Sequence, residues 1–159
     1  MIKITLFAVG KIKEKYFSEG IAEYSKRLSA FCDFKIVEIE EENYKKTDGA
    51  TEEKSRLKEG ERILSLISEF KGKVYALSLE GKKSDSFGFS EVIKKSLSVG
   101  ENVAFIIGGS YGLSPAVKKR ADALFSFSDM TFPHALFRLI FTEQLYRAFT
   151  IIHGKNYHK

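Results

Sequence analysis

Three closely spaced glycines in the last third of the chain are its first candidates for a ligand site. Gly108, Gly109 and Gly112 follow the apolar run Val103–Ile107, which is typical of a buried strand. A glycine backbone can approach a ligand closely, although the same pattern also suits a tight turn from strand to helix. The spacing matches neither the G-x-G-x-x-G dinucleotide motif nor the P-loop. Neither of those nucleotide sites is therefore predicted.

A second candidate loop, at residues 126–131, mixes small polar and apolar side chains and follows another short apolar run. Its apolar groups could enclose a purine-like ring while its backbone bonds the ring's edge. Alternatively, its Ser, Asp and Thr residues could cap the following helix. Open α/β sheets bind ligands at the carboxyl ends of their strands, so the two loops together favour a small-molecule site.

Basic side chains on and after the last helix form a third group of candidates. His134 could act as a base near neutral pH, although a structural hydrogen bond is the commoner role for such a residue. Arg138 and Arg147 lie on an apolar helix, where an unpaired charge is costly. Their partner could be a phosphate or carboxylate ligand, Glu143, or a second subunit. The basic tail around Tyr157 suits stacking and phosphate contact with RNA.

Overall composition limits the class of protein. The chain has 159 residues, 43% of them apolar and 30% charged, which is typical of one globular domain over residues 1–159. A net charge of +5 mildly favours a polyanionic partner. No signal peptide or membrane-spanning run is evident, and the single Cys32 excludes an internal disulfide, so we expect a cytoplasmic protein. No Ser-His-Asp spacing, HExxH motif or metal cluster is found, so no metal is expected.

These candidates must be positioned by an alternation of strands and helices, which predicts an α/β fold with a mostly parallel sheet flanked by helices. Strands are predicted at residues 2–9, 34–39, 73–79, 103–107 and 123–127. Helices are predicted at residues 16–29, 51–70, 90–98, 115–121 and 133–152, with a turn at residues 80–82. The last helix is apolar in most directions around its axis, which predicts a homodimer whose second copy covers it.

Motifs along the whole chain resemble the ribosomal RNA large subunit methyltransferase H family, within the SPOUT class. They include residues 4–11, 59–64, 105–109, 112–114, 130–134, 143–148 and 157–159. The resemblance implies a deep C-terminal trefoil knot, a homodimer and S-adenosylmethionine as cofactor. It also implies methylation of N-3 of a pseudouridine in 23S rRNA on the assembled ribosome.

The resemblance also implies roles for particular residues. Those expected at the cofactor are Leu77, Gly108, Gly109, Phe127, Ser128, Asp129, Met130, Thr131 and Phe132. Those expected at the RNA are Arg147, Tyr157, His158 and Lys159. Arg138, Arg147 and His158 are the candidate catalytic residues, and no general base is identified.

Two positions depart from the family pattern, and two other functions stay open. Ser110-Tyr111 replaces a Pro-Glu pair, which puts any role of that Glu as a base in doubt, and Lys159 replaces an Arg. Neither change removes a backbone contact to the cofactor. The alternative functions are a non-catalytic knotted factor for ribosome binding or assembly, and a regulator that binds a small nucleotide.

Overall fold

The computed structural model describes residues 1–159, along which five strands and five helices alternate. The strands are β1 (Lys3–Val9), β2 (Asp33–Ile39), β3 (Lys73–Lys83), β4 (Val103–Ile107) and β5 (Ala123–Ser126). The helices are α1 (Lys15–Leu28), α2 (Gly49–Ile67), α3 (Ser86–Val99), α4 (Pro115–Arg120) and α5 (His134–Ile152). The predicted α/β alternation is confirmed.

The five strands form one parallel sheet in the order β2-β1-β4-β3-β5. Strand β4 is central, with Phe105 paired to Leu6 of β1 and to Tyr75 of β3. Every residue of β4 is buried, as expected where helices cover both faces of a parallel sheet. Because all strands point the same way, the segments that follow β3, β4 and β5 meet at one edge.

An apolar core lies on each face of the sheet. Phe105 belongs to the core that also contains Phe89 of α3 and Phe141 of α5. The next residue, Ile106, belongs to the opposite core, beside Ile63 of α2. This alternation follows from the two-residue period of a strand. Burial of each such side chain contributes about 1.5–3 kcal/mol, so β4 is anchored from both sides.

The turn predicted at residues 80–82 is wrong, because β3 continues through it to Lys83. Pairing with β5 is irregular here, since both Leu77 and Lys82 pair with Phe125. Gly81 permits this approach: a Cβ there would lie 2.6 Å from backbone atoms of Leu124 and Phe125. The Glu-Gly-Lys pattern is typical of a turn, but contact with a distant strand determines the local structure.

Two helices begin two or more residues earlier than predicted. Helix α3 starts at Ser86 instead of residue 90, because Asp85 caps it and accepts the N–H of Gly88 at 2.7 Å. Helix α2 starts at Gly49, where Asp48 accepts the N–H of Thr51 at 2.8 Å. In both helices an aspartate before the apolar pattern supplies the cap.

Helix α5 packs between α1 and α3 of its own chain, and none of its residues is fully exposed. The contact with α1 is close, since a Cβ at Gly20 would lie 2.9 Å from Leu139 Cδ1. The chain therefore supplies part of the cover that the sequence assigned to a second copy. Leu136 and Ile151 are only half-buried and lie outside both cores. None of the five helices combines the length and apolar sequence that crossing a membrane requires.

Candidate active site

A cavity of about 670 Å³ opens at the carboxyl edge of the sheet. It lies between the end of β3, the glycine turn after β4, and the loop that joins β5 to α5. Its volume is within the range of about 300–1,000 Å³ that is usual for small-molecule sites. Both loops singled out in the sequence contribute to its walls.

The glycine turn folds closely on itself and on α2. Gly112 has φ of +78°, a conformation that favours glycine, and its N–H donates to Gly109 O at 3.0 Å. A Cβ at Gly108 would lie 2.9 Å from the carbonyl carbon of Gly112, and one at Gly109 would lie 2.8 Å from Glu59 Oε1. These glycines are therefore required by the turn itself, and all three also line the cavity.

A buried carboxyl group supports this turn from α2. Glu59 is 3% exposed, and its Oε2 accepts the N–H of Glu42 at 3.3 Å while its Oε1 has no partner. Burial raises the pKa of Glu59, and the nearby carboxylates of Glu41 and Glu42 raise it further. The motif at residues 59–64 indicated family membership but gave no sign of this role. Only the fold brings α2 beneath the turn.

The loop between β5 and α5 is held by its own hydrogen bonds. Ser126 Oγ donates to Ser128 O at 3.0 Å, and Ser128 Oγ accepts the N–H of Met130 at 3.0 Å. Phe132 stacks on Phe137 of α5, with ring centroids 6.2 Å apart and planes at 10°. The loop thus presents a phenyl wall to the cavity beside small polar groups, as the first of its two interpretations requires.

The structure brings eight of the nine expected cofactor residues to this cavity. They are Leu77, Gly108, Gly109, Phe127, Ser128, Met130, Thr131 and Phe132. Asp129 does not line it; its carboxylate lies on the surface, 2.6 Å from Lys83 Nζ. An exposed pair of this kind contributes little to stability.

Several residues of the cavity carried no signal in the sequence. Arg56 of α2 donates to Tyr111 O at 3.5 Å, and Lys118 of α4 pairs with Glu80. The hydrogen bond from Lys118 lowers the pKa of the Glu80 carboxyl. These side chains reach the cavity from helices whose position depends on the fold. His134, which the sequence did single out, also lines the cavity as the first residue of α5.

Arg138 does not line the cavity. Its side chain is buried, with Nη1 donating to Glu38 Oε1 at 2.7 Å and Nη2 donating to Gly10 O at 2.9 Å. The charge is therefore compensated within the chain, by a partner that the sequence did not suggest. The structure joins α5 to the ends of β1 and β2 through this residue.

Arg147 lies in a separate cluster that holds the tail on α5. Glu143 Oε1 accepts both Arg147 Nη2 at 2.6 Å and the Tyr157 hydroxyl at 2.9 Å. Arg147 Nη1 lies 3.2 Å from His158 Nδ1, and its guanidinium lies 4.8 Å from the Tyr157 ring centroid. Burial raises the pKa of Tyr157, and hydrogen bonds with Tyr24 and Glu143 add to this.

Apart from the exposed Asp129 and Lys159, the predicted residues fall into three places: the cavity, the buried Arg138 and the tail cluster. None of Arg138, Arg147 and His158 lines the cavity, and Lys159 is exposed at the end of the chain. No group of three or more His, Cys, Asp or Glu side chains is arranged to hold a metal ion. The cavity can bind a ligand. The tail cluster offers charge and hydrogen bonds at a separate place, beside α3 and α5.

Comparison with known families identifies the class of protein. A family model described as "Predicted SPOUT methyltransferase" matches residues 2–158. The chain belongs to the SPOUT methyltransferase family. Relatives named "Ribosomal RNA large subunit methyltransferase H" include a Limosilactobacillus reuteri protein, 50% identical over 160 residues, which cover 99% of this chain and 100% of the relative. A Streptococcus thermophilus relative of the same name is 47% identical over 162 residues, with the same coverage. The predicted family is confirmed.

Solved structures share the SPOUT fold of this chain. One is described as a probable methylase family protein of Haemophilus influenzae and has a TM-score of 0.55 at 12% identity. The match covers 99% of this chain and 70% of the Haemophilus chain. Another, described as a Legionella pneumophila methyltransferase in complex with SAM, has a TM-score of 0.51 at 15% identity, covering 92% and 66%. At these identities the likeness shows the fold alone.

In this SPOUT protein the Ser110-Tyr111 departure is accommodated by local bonds. Ser110 Oγ donates to Glu41 Oε1 at 3.2 Å, while the Tyr111 carbonyl accepts from Arg56. Both residues line the cavity. A carboxylate is still present beside the turn, because Glu41 reaches it from the segment after β2.

Proposed function

We propose that the protein methylates N-3 of a pseudouridine in 23S rRNA of the assembled ribosome, with S-adenosylmethionine as methyl donor. Full-length identity of about half the residues to proteins named as large-subunit rRNA methyltransferases is the observation that carries this proposal. The cavity at the carboxyl edge of the sheet supports it, because it has the size and wall chemistry for such a donor. The setting is the cytoplasm, where ribosomes assemble.

The residues present fit S-adenosylmethionine. Phe127 and Phe132 offer apolar faces to an adenine ring, and the backbone of Gly108 and Gly109 lies at the wall where no side chain intervenes. When bound, the donor supplies a sulfonium methyl group: a carbon–sulfur bond breaks, a carbon–nitrogen bond forms at N-3, and the N-3 proton leaves.

The contribution of this chain is mainly orientation of the two reactants. Well-aligned reactants gain up to about 7–11 kcal/mol of barrier reduction from proximity. The N-3 proton passes to solvent water, and of the two arginines Arg147 is the better placed to stabilise the negative charge that this loss leaves on the RNA. The Arg147 side chain is 24% exposed and lies beside Tyr157 and His158. The Arg138 side chain, in contrast, is buried and paired with Glu38. The tail cluster is accordingly the proposed RNA contact.

We further propose that the active protein is one domain per chain with a C-terminal trefoil knot, acting as a homodimer. Family membership supports the knot, as does the crowding of β3 against β5 around Gly81. Half-buried apolar residues on α5 outside both cores support the dimer. A small chain with net charge +5 has little surface for reading sequence. Phosphate contacts and the shape of the ribosome would then select the target.

Transfer of labelled methyl from S-adenosylmethionine to ribosomes from cells lacking the protein tests the function, with isolated 23S rRNA in parallel. We expect label on a pseudouridine of assembled ribosomes and little on the free RNA. Cofactor binding without label on either substrate would instead support a non-catalytic ribosome factor or a nucleotide-binding regulator. Strong methylation of a short stem-loop would contradict the need for the assembled ribosome.

A further inference from the structure

A second cavity of about 290 Å³ adjoins the first. Phe127, Ser128 and Phe132 line both cavities, so the two cavities adjoin at these residues. The remaining walls of the smaller cavity include Phe89 near the start of α3 and Gln144 in the middle of α5. A group held in the smaller cavity would therefore lie next to a ligand in the larger one.

The walls of the smaller cavity suit a flat, uncharged ring. Three phenylalanine rings line it, and those of Phe89 and Phe127 meet edge to face with centroids 5.1 Å apart. No Lys or Arg lines it, so it offers nothing to a phosphate. Its one charged residue, Asp85, already accepts the N–H of Gly88 at 2.7 Å. Aromatic side chains of this kind hold single nucleobases that have left a helix.

Gln144 supplies the polar group with the right pattern for the edge of a base. Its Oε1 accepts Ser86 Oγ at 2.7 Å, and its Nε2 donates to Glu143 Oε2 at 2.7 Å. These two bonds fix which end of the amide is oxygen and which is nitrogen. A carboxamide has two acceptor positions and two N–H groups, so one of each remains on Gln144. Such a pair can bond a neighbouring N–H and C=O on a base.

We infer that the smaller cavity holds the base to be methylated and that Gln144 selects pseudouridine over uridine; this rests on the proposed function. Pseudouridine is joined to its ribose through C-5, so its N-1 carries a hydrogen next to the C-2 carbonyl. Gln144 Oε1 accepts this N-1 hydrogen, and its Nε2 donates to the C-2 oxygen. N-3, on the other side of that carbonyl, stays free to face the larger cavity.

Uridine cannot make this pair while it presents N-3. Its N-1 is bonded to the ribose and has no hydrogen. Its only adjacent N–H and C=O groups include N-3 itself, so a bidentate bond to Gln144 would occupy the reacting atom. One side chain in the wall of the cavity thus distinguishes the two isomers, although their rings have the same size and charge.

The test compares methyl transfer to two kinds of ribosome, one with pseudouridine at the target position and one with uridine. The uridine form comes from cells that lack the pseudouridine synthase for that position. We expect the wild-type protein to favour pseudouridine in kcat/KM. Gln144→Met, which keeps the length but removes both polar atoms, should lower kcat/KM for pseudouridine by about 5- to 150-fold, the usual discrimination of one bidentate pair. Its kcat/KM for uridine should change little.

Matched measurements separate this role from a structural one. S-adenosylmethionine affinity, measured by calorimetry, should be the same in Gln144→Met and wild type. Ser86→Ala removes one of the two partners of the amide but keeps the amide and its bond to Glu143, so the preference for pseudouridine should persist. If Gln144→Met fails to bind the cofactor, Gln144→Glu replaces it: this variant keeps the acceptor, loses the donor, and should show a smaller preference than wild type.

Three results would overturn the inference. A wild-type protein that methylates both ribosomes equally would show that the isomers are not distinguished, and the proposed function would survive. Equal losses on both ribosomes in the folded Gln144 variants would assign Gln144 only to the packing of α3 on α5. Wild-type protein that labels neither ribosome would refute the proposed function and the inference together.

Discussion

At the scale of single residues, Glu59 links the stability of the protein to pH. Its pKa is higher in the folded chain than in the unfolded one, chiefly because burial disfavours the charged form. The folded chain therefore holds this proton more tightly. The resulting stabilisation is complete below about pH 4.3 and is lost as the pH rises through the raised pKa.

Glu59→Gln should raise the free energy of unfolding at pH 8, by ~1 kcal/mol. Glutamine keeps an oxygen to accept the N–H of Glu42 but cannot become charged beneath Gly109. Urea denaturation at pH 8 and pH 5 measures the effect, which should be smaller at pH 5. Glu61→Gln, an exposed neighbour on α2, is the control and should change neither value. Equal destabilisation of Glu59→Gln at both pH values would contradict the link between the raised pKa of Glu59 and stability.

Gly108 belongs both to the glycine turn and to the proposed cofactor site, and both require that this residue has no side chain. Gly108→Ala places a Cβ 2.9 Å from the Gly112 carbonyl carbon, so the turn must shift. Overpacking typically costs about 1–3 kcal/mol, which corresponds to an affinity for S-adenosylmethionine that is about 5- to 150-fold weaker if the strain falls on the binding conformation. Calorimetry measures this, with Gly49→Ala as the control, because Gly49 lies outside the cavity and an added methyl there meets no atom within 4 Å. An unchanged affinity would mean that the cofactor does not depend on this turn.

At the scale of elements, the irregular pairing of β3 with β5 leaves no room for a side chain at Gly81. A Cβ there would lie 2.6 Å from backbone carbons of both Leu124 and Phe125, and backbone cannot move aside as a flexible side chain can. Gly81→Ala should lower the free energy of unfolding by about 2–3 kcal/mol. Chemical denaturation measures it, and Gly49→Ala is the control because no atom lies within 4 Å of its added methyl. Equal stability of the two variants would mean that β3 and β5 lie further apart at Gly81 than the structure places them.

The pairing of β3 with β5 also shows where prediction from the sequence succeeds and where it fails. Apolar runs such as Val103–Ile107 predict their strands, because burial on both faces leaves a continuous local pattern. The end of β3 has no such pattern, and its Glu-Gly-Lys segment is extended only because β5 lies against it. The walls of the cavity divide in the same way. Glycines and the polar loop were visible in the sequence, whereas Arg56 and Lys118 come from helices brought there by folding.

The charged residues of α5 illustrate a further limit. An arginine on an apolar helix signals that a partner exists but not which one. Arg138 pairs with Glu38, a hundred residues away in the chain, and Arg147 pairs with Glu143, one turn away. Only the second pairing has a local signal, the i,i+4 spacing. The two arginines of this helix therefore differ in role: Arg138 is buried in the structure, and Arg147 lies beside the C-terminal tail.

At the scale of the whole molecule, the open question is what covers the rest of α5. Helices α1 and α3 cover two of its sides, which leaves half-buried apolar residues such as Leu136 outside both cores. A symmetric dimer places the same patch of each copy in contact, so one substitution alters the interface twice. A charge introduced there would be buried without a partner in both copies.

Leu136→Arg should therefore convert the proposed dimer to monomer, as measured by sedimentation velocity at micromolar concentration. Leu66→Arg is the matched control, because Leu66 is 45% exposed on α2, which covers the opposite face of the sheet. That variant should sediment as the wild type does. Each monomeric Leu136→Arg chain should retain its fold, since Leu136 belongs to neither core. A wild-type protein that sediments as a monomer would refute the dimer, and a dimeric Leu136→Arg variant would place the interface away from the start of α5.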